Sequence, residues 1–116
     1  MSMVAGITTH VLDTARGLPA SGIGVRLERK DSSGSWVTLA ARETDADGRA
    51  RDLLPAGETV SLGTYRLTFA TGAYLARDGA VAFYPEATVT FVVLEPRHHH
   101  IALLLSPFGF STYRGS

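Results

Sequence analysis

No cysteine occurs among the 116 residues, which excludes disulfide staples, thiolate metal sites and a cysteine nucleophile. Neither sign of charge is in excess. Eleven Lys and Arg balance eleven Asp and Glu, so nothing electrostatic draws the chain to nucleic acid or an anionic membrane. Long hydrophobic runs are missing as well: the longest, Ile101 to Leu105, falls far short of the ~20 residues that cross a bilayer. Met1 to Ile7 has neither the charged start nor the apolar core of a secretory signal. Arg114-Gly115-Ser116 is not a peroxisomal address. A soluble protein kept in the cytoplasm is the expectation. Internal repeats, low-complexity stretches, a Ser-His-Asp order and a phosphate-binding glycine loop are also absent, and Gly22-Ile23-Gly24 lacks the strand–turn–helix setting of a nucleotide site.

What is present is the composition of a globular protein, 45% hydrophobic and 19% charged. The length suits one domain over residues 1–116. The chain reads as short runs of period two separated by turn residues. Ile7 to Asp13 is rich in β-branched residues and is followed by an Ala15 to Gly22 loop. Ile23, Val25 and Leu27 alternate with Gly24, Arg26 and Glu28. After the polar turn Asp31 to Ser35, Trp36 to Ala41 returns as a hairpin partner. The turn Thr44 to Arg49 leads to a short strand over Arg49 to Leu53, and Pro55 to Thr59 is loop. Tyr65, Leu67 and Phe69 alternate next, and Thr71 to Asp78 has helical character, with Gly79 able to close it. Ala87 to Leu94, Arg97 to Ser106 and Phe110 to Arg114 complete the strands. About eight short strands and one short helix predict an all-β two-sheet sandwich.

Histidines carry the chemical signal. His10 sits in the first strand, and His98, His99 and His100 enter the penultimate one. Alternation puts Ile101, Leu103 and Leu105 toward the core, so His98 and His100 share the other face with Ala102 and Leu104, and His99 points with the core set or lies at its rim. Three readings are open. The histidines could be a solvated strand end. His98 and His100, with His10, could share a metal ion, although no carboxylate or cysteine at ligand spacing supports one. An imidazole could also take a proton from water and return it to a leaving nitrogen near neutral pH. Arg49, after Asp47-Gly48, is either a surface arginine or a planar fork for an anionic or carbonyl-rich substrate. Tyr113 to Ser116 is either a frayed tail, even a vector remnant, or the end of an ordered segment, Phe108 to Tyr113 having the composition of a strand and its turn.

Three segments together resemble one family. They are Thr8-Thr9-His10-Val11-Leu12-Asp13-Thr14 with Gly17 and Pro19-Ala20-Ser21-Gly22; Thr44-Asp45-Ala46-Asp47-Gly48-Arg49; and His98-His99-His100 through Leu103-Leu104-Leu105-Ser106-Pro107 to Ser111-Thr112-Tyr113-Arg114-Gly115-Ser116. Phe83-Tyr84-Pro85-Glu86 fits as well. The pattern is similar to that of the 5-hydroxyisourate hydrolases, relatives of the hormone carrier transthyretin. The resemblance implies a transthyretin-like β-sandwich assembled as a homotetramer, with sites between dimers and no metal or organic cofactor. It implies opening of the 5-hydroxyisourate ring to the ureidoimidazoline that leads to allantoin. His10, Arg49, His100 and Ser116 are the implied catalytic residues, and His98, Tyr113 and Arg114 join His10 and Arg49 in binding substrate. One position departs from the family: His99 stands where His-Tyr-His is usual. A small-ligand carrier with no chemistry is the alternative, which the polar set His10, Arg49, His100 and Tyr113 argues against. An adhesion or accessory module of a larger protein is a third possibility.

Overall fold

The structure is a computed structural model that describes residues 6–54 and 58–115. Nine strands and one helix are present among them: β1 Ile7–Asp13, β2 Leu18–Pro19, β3 Gly24–Lys30, β4 Trp36–Glu43, β5 Arg49–Ala50, β6 Gly63–Phe69, α1 Thr71–Ala76, β7 Ala87–Val93, β8 His99–Ser106 and β9 Gly109–Gly115. One sheet runs β2-β1-β8-β9, with β5 also paired to β1, and the other runs β4-β3-β6-β7. Their inner faces enclose one core, built from Ile7, Val11, Ile101, Leu103 and Leu105 on one side and Val25, Leu27, Tyr65, Leu67 and Phe69 on the other. Alternation is the cause: Ile7, Thr9, Val11 and Asp13 are buried, and Thr8, His10 and Leu12 are turned outward.

The all-β sandwich expected from the sequence is the architecture observed. Differences concern short or local features. Leu18–Pro19, expected as loop, pairs with Leu12 and Asp13 of β1 at the sheet edge, a position where proline is tolerated because no ladder N–H is needed there. The strand expected over Arg49 to Leu53 shortens to Arg49–Ala50, and the helix ends at Ala76 rather than Asp78. Helix α1 has no side-chain cap. β1 and β8 are parallel, the other pairings antiparallel. The Pro55 to Thr59 loop lies partly, and Ser116 wholly, outside the described residues.

Candidate active site

Strand register brings distant residues to one place on the outer face of the first sheet. His10 is opposite Arg49 of β5 on one side and Ala102 of β8 on the other, and Ala102 is opposite Tyr113 of β9. In the next row Thr8 is opposite His100, and His100 is opposite Gly115. In-register partners point to the same side of a sheet, with strands about 4.8 Å apart, so these side chains are neighbours by construction. They line an open cleft of about 490 Å³ formed by Thr8, His10, Arg49, His98, His100, Tyr113 and Gly115. A groove of about 400 Å³ on the other sheet, over Arg26, Arg42 and Glu86, contains no histidine.

The Asp-Gly turn before β5 aims Arg49. The carboxylate of Asp45 accepts hydrogen bonds from the backbone N–H groups of Asp47 at 2.9 Å and Arg49 at 3.0 Å. The Arg49 N–H is the main cause that holds the Asp45 carboxyl below its ordinary range. Gly48 closes the turn at φ +75°, and a Cβ there would sit 2.5 Å from the carbonyl oxygen of Val11. The Val11 N–H donates to the Gly48 carbonyl at 2.8 Å, which fastens the turn to β1 and sets Arg49 beside His10.

His100 is half-buried. Burial, followed by the positive fields of Arg49, His10 and His98, pushes its pKa below the usual histidine value. A neutral imidazole, able to accept a proton, is thereby favoured at neutral pH. Gly115 makes room for the ring, because a Cβ at that position would lie 2.5 Å from Cδ2 of His100. The hydroxyl oxygen of Thr8 stands between two rings, 2.9 Å from Nε2 of His98 and 2.8 Å from Nδ1 of His100. His99 points inward and is buried, and its Nδ1–H donates to the Arg97 carbonyl at 2.7 Å. The departure from His-Tyr-His therefore lies behind the sheet and not in the cleft.

Of the residues singled out in the sequence, His10, Arg49, His98, His100 and Tyr113 share the cleft. Arg114 does not. It is opposite Ile101, on the other face of β9, and lines a hollow with Val89 and Phe91. Adjacent strand residues face opposite ways, so Tyr113 and Arg114 of one chain cannot form the same wall. Ser116 lies outside the described residues. Thr8 was named only within a motif, and Gly115 only as one of the tail residues that the resemblance carries over. Counting back by two from His10 reaches Thr8, but the need for a glycine at 115 appears only once His100 is placed opposite it. Among the described residues no group of three or more His, Cys, Asp or Glu could hold a metal ion.

The model of the HIUase/Transthyretin family matches residues 7–115. The chain is 46% identical to the 5-hydroxyisourate hydrolase of Caulobacter vibrioides, over 97% of this chain and 100% of that one. Among solved structures it is similar to the 5-hydroxyisourate hydrolase of Klebsiella pneumoniae, with 38% identity, 97% and 94% of the two chains covered and a TM-score of 0.83. It is also similar to sea bream transthyretin in complex with thyroxine, with 32% identity, 94% and 93% covered and a TM-score of 0.87. The backbone thus resembles both kinds of protein closely, and the side chains of the cleft have to separate them.

Proposed function

The chain belongs to the HIUase/Transthyretin family, and on that premise we propose that it hydrolyses 5-hydroxyisourate in the breakdown of urate. The observation that carries this reading is the lining of the cleft by His10, Arg49, His100 and Tyr113. A site for an apolar hormone would be lined mainly by apolar groups. A ring rich in carbonyls and readily anionic instead matches a guanidinium with two imidazoles beside it.

In this mechanism Arg49 orients the planar substrate and stabilises the charge that develops on a carbonyl oxygen as water attacks. His100, kept neutral by its surroundings, takes the proton from that water. His10, next to Arg49 in register, supplies a proton to the nitrogen as the cyclic C–N bond breaks. Tyr113 and His98 complete the polar wall. Ser116 is assigned to that wall, and Arg114 to substrate binding, by family resemblance alone. The reaction as written needs no metal or organic cofactor.

The reading extends to a single domain over 1–116 and to a homotetramer with sites between dimers. Support for the assembly comes from the cleft itself, which is open on the outer face of a sheet and flanked by Tyr113, 54% exposed. The cytoplasm is the compartment we assign to it. No helix among the described residues is long and apolar enough to cross a membrane.

An absorbance assay tests the activity. Urate oxidase generates 5-hydroxyisourate in the cuvette, and the purified chain is expected to speed its disappearance well beyond spontaneous decay. Tight binding of thyroxine with no such acceleration would establish the carrier reading instead.

A further inference from the structure

The Thr8 hydroxyl bridges two imidazoles, Nε2 of His98 and Nδ1 of His100. A hydroxyl has one proton to donate. Thr8 Oγ1 bonds both rings, and when its proton goes to one of them the other ring donates in return. Two arrangements satisfy this. If Thr8 donates to Nδ1 of His100, His98 donates from Nε2, and both rings carry hydrogen on Nε2. If Thr8 donates to Nε2 of His98, His100 donates from Nδ1, and both rings carry hydrogen on Nδ1. A ring that changes alone breaks the bridge.

We propose that Thr8 is a positioning residue that locks the imidazoles of His98 and His100 into the same tautomer and passes a proton between them. The proposal deepens the hydrolase reading and rests on it. The arrangement competent for water activation is the one with hydrogen on Nδ1, because Nε2 of His100 is then a free lone pair. Geometry keeps that atom available. The Nδ1 edge of the ring is tied to Thr8, and the Cδ2 edge lies against Gly115, so the ring cannot swing without losing the bridge or striking backbone.

The proton steps balance. Nε2 of His100 takes a proton from water as the water oxygen bonds to the carbonyl carbon, which leaves His100 a cation. The Nδ1 proton then crosses to Thr8 Oγ1 while the hydroxyl proton crosses to Nε2 of His98. Positive charge has moved from the half-buried ring beside Arg49 to the ring of His98, which is exposed in the single chain. Once His10 has given its proton to the departing nitrogen, reversal of both hops restores the Nδ1 proton as Nε2 of His100 gives its own to solvent water, and His10 takes one back from solvent, so the starting tautomers return. His98 thus holds the charge between water attack and nitrogen departure.

Thr8→Val keeps the shape and removes the hydroxyl, and Thr8→Ser keeps the hydroxyl. For the full chain acting on freshly generated 5-hydroxyisourate, Thr8→Val is expected to lose about tenfold to a hundredfold in kcat with KM changed by less than about twofold, and Thr8→Ser to stay near wild type. Nitrogen-15 NMR of the histidine rings in the free protein gives a readout independent of turnover. The neutral rings of His98 and His100 should carry hydrogen on the same ring nitrogen in the wild type, and the match should be lost in Thr8→Val. Opposite tautomers in the wild type, or a Thr8→Val enzyme with unchanged kcat, overturn the relay and leave the hydrolase reading standing. Absence of turnover by the wild type overturns the hydrolase reading, and the ring spectra still decide the tautomer lock.

Discussion

At His100 several effects act in one direction. Burial removes water from around the ring, and Arg49, His10 and His98 add positive potential, so the folded protein binds the His100 proton less tightly than the unfolded chain does. Stability from this site is therefore complete above the ordinary histidine value and declines as pH falls through the lower folded value. The same displacement sets the acid limb of kcat/KM below that of a free histidine. Arg49→Gln removes one source of positive field, so the acid limb is expected to move to higher pH in a pH–rate profile, besides the loss of rate. A limb that stays in place would show that Arg49 does not influence the ring that titrates. His10→Ala is expected to cost a factor of about a hundred to ten thousand in rate, as loss of an acid–base group does. Some of this was legible residue by residue: alternation alone set His98 and His100 opposite Ile101, Leu103 and Leu105, and they lie that way. Arg49 was ambiguous, because its neighbour His10 is supplied by the β1–β5 pairing and not by anything adjacent in sequence.

At the scale of the element, the turn into β5 shows how local chemistry serves the site. Asp45, Gly48 and the Val11 N–H form one hydrogen-bonded unit, and Gly48 is the residue in it that a side chain cannot replace. Gly48→Ala places a Cβ against the Val11 carbonyl at a positive φ, and thermal or urea denaturation is expected to show a loss of about 1–3 kcal/mol. Activity should fall with it, because Arg49 is carried on the displaced turn. The turn residues here were readable from Asp-Gly alone, as were the long strands with clear period two. The two-residue strands were not. Leu18–Pro19 and Arg49–Ala50 contain too few residues to show a period, and they exist because β1 offers unpaired backbone at that edge. Strand direction escaped as well: nothing in Ile7 to Asp13 or His99 to Ser106 states that the two run parallel.

For the whole molecule, acid stability is expected to depend on the outer face of the second sheet. Glu28 is buried and accepts two hydrogen bonds from Arg66, at 2.7 and 3.2 Å, while the Arg66 guanidinium lies 4.2 Å from the centre of the Trp36 ring. The Arg66 hydrogen bond holds the Glu28 carboxyl below its ordinary range. A depressed carboxylate contributes stability above the unfolded value and loses it as pH falls through the folded one. Glu28→Gln should therefore flatten the acid side of a stability-against-pH curve followed by Trp36 fluorescence. Assembly belongs to the same scale: the homotetramer proposed above should sediment at four times the 12.4 kDa chain mass. That proposal came first from resemblance, since one chain's alternation shows which side chains face outward without showing what covers them.

The most direct measurement is the steady-state rate of 5-hydroxyisourate disappearance with folded wild-type protein and with His100→Ala, side by side. The account predicts rapid turnover by the wild type and a fall of at least about a hundredfold in the variant. Equal rates in the two proteins, both above spontaneous decay, would contradict it, because the water would then be activated somewhere other than the cleft between β1, β5, β8 and β9.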